Sequence, residues 1–135
     1  MTKWHFFLAM DPPTKTQQEH RIGKRKDGSM YFYEDRDLKE ARSKLRQSLA
    51  PHAPAESYTG PVRLLVKWCF PAGSHKSGSY KTTRPDTDNL NKMLKDEMTR
   101  LGFWKDDALV ASEIIEKFWA DIPGIYIEIE RLKND

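Results

Sequence analysis

Apolar residues in this chain recur with two different periods, and the secondary structure is expected to change wherever the period does. Leu38, Ala41, Leu45 and Leu49 follow helical spacing, which predicts a helix over residues 35–50, with Asp35 or Asp37 placed to cap it and Pro51 to stop it. Leu90, Met93, Leu94, Met98 and Leu101 form a second stripe, a helix over residues 88–101 that Gly102 ends. Lys92, Lys95 and Asp96 fall on the opposite face of that helix. Five segments read as strands: residues 4–10, stopped by Asp11-Pro12-Pro13; 30–33; 62–70, set between Gly60-Pro61 and Pro71; and 108–119 and 125–129, joined by a turn at Pro123-Gly124. In the last of these, Ile125, Ile127 and Ile129 alternate with Tyr126 and Glu128, the pattern of a strand buried on one side.

These elements predict an α+β fold: a single compact domain over residues 1–135, with a mixed sheet of four or five strands packed against two main helices. A length of 135 residues suits one core and leaves little room for a second. With 38% hydrophobic and 32% charged residues, the chain is apolar enough to fold and polar enough to keep a wet surface. Cys69, the only cysteine, lies between Trp68 and Phe70, which excludes a disulfide framework and a cysteine zinc site. The apolar run at residues 4–10 is too short to span a bilayer, so the expectation is a cytoplasmic protein with no membrane partner.

The net charge of +3 hides an uneven distribution. Residues 1–105 carry 20 Lys and Arg against 12 Asp and Glu, a balance of +8, while residues 106–135 carry 3 against 8, a balance of −5. Two basic stretches have too few apolar residues to build a core. One is residues 14–27, with Lys15, Arg21, Lys24, Arg25 and Lys26; the other is the Gly- and Ser-rich stretch 71–85, with Lys76, Lys81 and Arg84. Both are expected to be loops or arms whose cations contact phosphates.

The chemistry concentrates in Arg84-Pro85-Asp86-Thr87-Asp88-Asn89-Leu90, followed nineteen residues after Asp88 by Asp107. An Asp-x-Asp at the entrance to a helix sets two carboxylates almost at one point, and the helix must return the chain before Asp107 can approach them. At ~5 Å and an effective dielectric of ~20, each pair of such charges repels by roughly 3 kcal/mol, a cost that a divalent cation reverses. An all-oxygen ligand set suits Mg²⁺ or Mn²⁺ rather than zinc, and His5, His20, His52 and His75 show no ligand spacing. Aspartate at this place also suits helix capping, and Lys92 also suits a solvent-facing helix position. Tyr80 and Trp104 are candidates for base stacking, with Trp104 read as a core anchor.

Pro85-Asp86-x-Asp88-Asn89-Leu90-x-Lys92, a helix of about three turns, then Gly102-x-Trp104-x-Asp106-Asp107 and a β segment resemble the signature of the RusA family of Holliday junction resolvases. The resemblance covers residues 84–130; the first third agrees in general character alone. It implies a homodimeric endonuclease that binds branched DNA, above all four-way junctions, and makes paired cuts with Mg²⁺. It also implies Asp86, Asp88 and Asp107 as catalytic, metal-holding carboxylates and Lys92 as an active-site lysine. Adjacent side chains of an extended segment point to opposite faces, so Asp106 and Asp107 are not both expected to hold one metal; the resemblance implies Asp107 as the third carboxylate and matches Asp106 to a neighbouring acidic position. Two other readings share these residues: a metal-dependent nuclease for other branched DNA, and a non-catalytic DNA-binding module.

Overall fold

A computed structural model describes residues 3–16, 20–34 and 36–134, with the backbone alone for residues 20–22 and 32–34. Two sheets and two helices form among them. Strands β1 (Lys3–Leu8), β4 (Val62–Pro71), β5 (Val110–Ala120) and β6 (Gly124–Arg131) make a mixed sheet in the order β1-β6-β4-β5. β1 pairs antiparallel with β6, β6 antiparallel with β4, and β4 parallel with β5. The remaining strands, β2 (His20–Lys24) and β3 (Met30–Glu34), form a separate antiparallel hairpin. Helices α1 (Arg36–Leu49) and α2 (Thr87–Arg100) lie on one face of the main sheet.

Strand alternation explains why the helices occupy that face. Val62, Leu64, Val66, Trp68 and Phe70 of β4 are buried, while Arg63, Leu65, Lys67 and Cys69 point the other way. Ile125, Ile127 and Ile129 of β6 and Phe6 and Leu8 of β1 fall on the same buried side, as cross-strand pairing requires. Leu38, Leu45 and Leu49 of α1 and Leu90, Met93, Leu94 and Met98 of α2 complete the core. Gly124 sits where a Cβ would lie 2.1 Å from the Phe7 ring, so β6 can begin beside β1 only with glycine there.

The segment expected to be a basic loop, residues 14–27, instead contains β2. Its register with β3 runs His20↔Glu34 to Lys24↔Met30. A hairpin satisfies its backbone by cross-strand hydrogen bonds that any residue can make, so β2, unlike the apolar β3, leaves no period in the sequence. Its turn is set by Gly28 at φ 90° and by Asp27, whose carboxylate accepts from the Ser29 amide at 2.9 Å and the Ser29 hydroxyl at 2.7 Å. Asp35, one of the two expected caps of α1, lies outside the described residues.

Between the helices sits a buried ionic cluster that the apolar stripe does not announce. Glu97 is fully buried and accepts from Arg42 at 3.0 Å and Arg46 at 2.7 Å, joining α2 to α1. It occupies a stripe position, four residues after Met93, where a carboxylate needs cationic partners to be tolerated. Glu97→Ala is expected to destabilise the fold by about 3 kcal/mol, because it removes the fully buried carboxylate that Arg42 and Arg46 share and leaves Arg42 the longer, partly exposed contact with Asp96 at 3.5 Å. Urea denaturation checks this: the midpoint falls while the slope stays unchanged.

Candidate active site

Parallel neighbours such as β4 and β5 need a crossover connection, and α2 is that crossover. The helix therefore begins at the carboxyl ends of the two strands, where crevices form in sheets of this type. Arg84-Pro85-Asp86, with a cis peptide before Pro85, delivers the chain to that point. Asp86 is the N-cap residue, with extended backbone (φ −74°, ψ 148°), yet its side chain makes no capping hydrogen bond. Asp88 follows in the first turn. Both carboxylates are exposed, so capping does not account for Asp86.

A cleft of about 280 Å³ opens beside Asp86, lined by Thr14, Lys15, Thr16, Arg84, Pro85 and Asn89. Two of the expected DNA-binding cations, Lys15 and Arg84, thus meet one of the expected carboxylates. Lys92 lies one turn beyond Asp88 on the same helix face, exposed and with no ion-pair partner among the described residues.

Asp107 stands elsewhere. α2 ends in a Schellman arrangement: the Gly102 amide donates to the Thr99 carbonyl at 3.1 Å and the Phe103 amide to the Met98 carbonyl at 3.0 Å, with Gly102 at φ 83°. Trp104 is fully buried and its indole donates to the Thr99 hydroxyl at 2.8 Å, which makes it the core anchor expected. Asp106 then caps the short turn Asp107–Leu109, accepting from the Ala108 amide at 2.9 Å. Asp107 lines a second cleft with Arg42, Asp96, Thr99, Arg100 and Lys105, at the carboxyl end of α2.

The helical rise from Asp88 to Arg100 separates these two ends by roughly 18 Å. Among the described residues no three His, Cys, Asp or Glu side chains gather where they would hold a metal ion. The expectation that one chain brings Asp86, Asp88 and Asp107 together is therefore corrected. A continuous helix, locked at its far end by buried Phe103 and Trp104, holds them apart.

The other expected phosphate contacts divide into three groups. Lys24 and Lys26 are exposed at the hairpin turn, Arg25 lies over the Tyr31 ring at 4.9 Å, and Lys76 is exposed in the loop after β4. The side chain of Arg21 lies outside the described residues. Lys81 departs from expectation: it is 8% exposed, its ammonium lies 4.2 Å from the centre of the Trp119 ring and 5.1 Å from that of Phe70, and it donates to the Thr83 hydroxyl at 2.5 Å. Burial, with nearby Lys117 adding repulsion, pushes this ammonium below the usual lysine range. Lys81 is thus part of the loop's interior rather than an outward phosphate contact.

Sequence reading missed Lys117 and Asn91. Lys117 of β5 donates to the carbonyls of Thr83 and Pro85, each at 2.7 Å, just before Asp86. Asn91 accepts from the Trp68 indole at 2.9 Å and donates to Glu113 at 3.3 Å, and Glu113 also pairs with Lys95. An amide directly after Leu90 in the stripe is a faint signal for the second; a lysine within a strand carries none for the first.

The family profile described as Endodeoxyribonuclease RusA matches residues 11–130. A crossover junction endodeoxyribonuclease, rusA, of Lactococcus phage r1t is 33% identical over 111 residues, covering 80% of this chain and 82% of that protein. The uncharacterized protein YqaN of Bacillus subtilis strain 168 is 27% identical over 122 residues, covering 82% of this chain and 85% of its own length. The match over residues 11–130 spans the hairpin, both helices, the Asp86–Asp88 entrance and Asp107 alike, and the chain belongs to the RusA family of endodeoxyribonucleases.

Proposed function

We propose that this chain acts as a homodimer that resolves four-way DNA junctions, with each active site assembled from the two ends of α2 on different subunits. The observation that carries the reading is the placement of Asp86 and Asp88, free of capping bonds, at one end of α2 and Asp107 at the other. A two-fold axis that sets two copies of α2 antiparallel brings Asp86 and Asp88 of one chain to Asp107 of its partner, and does so twice. Two equivalent sites are what symmetric cuts on opposite strands require. The sequence relation to a crossover junction endodeoxyribonuclease supports the same substrate.

Carboxylates alone suit a hard cation, and Mg²⁺, or Mn²⁺ in its place, would supply there the Lewis acidity that phosphodiester hydrolysis needs. The chain's own part is to hold and orient the DNA. Lys15 and Arg84 flank the cleft beside Asp86 and are placed to take the phosphates next to the scissile one. Lys92, one turn from Asp88, is placed to offset charge on the phosphate under attack. Lys24, Arg25 and Lys26 at the hairpin turn and Lys76 in the loop extend the cationic surface toward the duplex arms. Such a protein works where DNA is processed, in the cytoplasm of a bacterial host; among the described residues no helix is long and apolar enough to cross a membrane.

Asp88→Asn is expected to slow cleavage of a synthetic four-way junction in Mg²⁺ by roughly a thousand-fold or more, while junction binding in chelator is kept or tightened, since a negative charge beside phosphate is removed. Gel-shift and single-turnover assays read the two effects separately, and cleavage at the wild-type rate rejects the assignment. Mixing Asp88→Asn with Asp107→Asn tests the shared site. If exchange is complete, about half of the dimers are mixed and each carries one intact site, so about a quarter of wild-type sites return and act as nickases. Should each site lie within one chain, the mixture stays inactive.

A further inference from the structure

Lys117 sits in β5 opposite Trp68 of β4, on the face of the sheet that carries the helices. From there its ammonium donates to the carbonyls of Thr83 and Pro85, both at 2.7 Å. Those two carbonyls bracket Arg84 and end at the residue before Asp86. Next to it the Lys81 amide donates to the Lys117 carbonyl at 3.0 Å, and the Lys81 ammonium reaches the Thr83 hydroxyl. No carboxylate lies within ion-pair distance of Lys117 or Lys81 among the described residues, so both cations are engaged with the loop itself.

The loop between β4 and α2 has little else to hold its last residues. It is rich in Gly, Ser and Thr, with Gly73 and Gly78 at positive φ, and apart from Ala72, Lys81 and Pro85 its side chains are partly or fully exposed. Two peptide carbonyls, one on either side of Arg84, need donors, and one ammonium, with three N–H groups, satisfies both at once. An apolar residue at position 117 would leave them unpaired and the segment free to swing.

We propose that Lys117 is a positioning residue: it pins residues 83–85 to β5 and thereby fixes the direction in which Asp86 and the first turn of α2 face the cleft. It does not touch the substrate. The catalytic consequence rests on the assignment of Asp86 given above; the pin itself does not. Loss of the ammonium is expected to impair the chemical step more than junction affinity, because Arg84 is the one assigned phosphate contact inside the pinned segment and the other cations stay in place.

The test uses the full chain with Lys117→Met. The Leu90 amide, bonded to the Asp86 carbonyl at 3.1 Å, reports on the first turn of α2. Its hydrogen exchange, followed by NMR, is expected to quicken by about ten-fold or more while amides of α1 and β4 hold within about two-fold. Single-turnover cleavage of a four-way junction in Mg²⁺ is expected to fall by about ten-fold or more, with junction affinity in chelator weakened by no more than Arg84→Ala alone weakens it. As a second route, Lys117→Cys in a Cys69→Ala background, aminoethylated with 2-bromoethylamine, rebuilds the ammonium and is expected to restore both readings. Wild-type exchange and cleavage in Lys117→Met overturn the proposal. So does exchange that quickens equally throughout the core, or a failure of aminoethylation to restore the folded protein's Leu90 protection. If the wild-type protein leaves the junction uncut, the nuclease reading fails and the exchange ratio alone decides whether Lys117 is the pin.

Discussion

Inside the core the Trp68 indole donates to Asn91, and this contact sets how α2 is rolled against the sheet. Both groups are buried, so a helix that rolled away would leave two polar groups unpaired at a cost of about 1–3 kcal/mol each. The same Asn91 reaches Glu113, which holds Lys95 a turn further on. With its roll fixed, α2 turns Leu90, Met93, Leu94 and Met98 inward and sends Asp88 and Lys92 outward along one edge. Glu97, clamped by Arg42 and Arg46, and the buried Phe103 and Trp104 prevent it from sliding. The candidate carboxylates therefore stand at the two ends of a helix whose roll and position are fixed by buried polar contacts.

That rigidity explains why the chain does not bring its aspartates together by itself. Bending Asp107 toward Asp88 would require dismantling the Schellman turn and exposing two fully buried aromatic side chains. A second chain removes the difficulty without deforming either one. On this reading the dimer is a condition of chemistry rather than an accessory to it, and cutting is tied to having two sites in place at once. The cations divide in the same way: Lys15 and Arg84 line the cleft beside Asp86, whereas Lys24, Lys26 and Lys76 are exposed on turns and loop.

Legibility in the sequence tracked the size of the apolar signal. Both helices, the five strands with apolar content and the stop at Gly102 were readable, because burial of one face imposes a period on the residues that form it. β2 was not, since its pairing with β3 is carried by backbone bonds that every residue can make. Asp86 and Asp88 stood out by their spacing, but the separation of Asp107 depended on the direction of the crossover, which no local pattern encodes. Lys81 misled for a related reason: composition marks it as a surface cation, while the rings of Trp119 and Phe70 and the Thr83 hydroxyl draw it inside. Lys117 had no signal, because its role is to satisfy carbonyls more than thirty residues away.

A diffraction experiment on crystals of the assembled protein soaked with Mn²⁺ addresses the central claim directly, since the anomalous signal locates the ion without reference to activity. The account predicts a peak within about 2.0–2.3 Å of carboxylate oxygens from Asp86 or Asp88 of one subunit and Asp107 of the other. A peak at Asp86 and Asp88 with the partner's Asp107 remote from it would contradict the shared site, as would crystals in which the two α2 helices never approach one another.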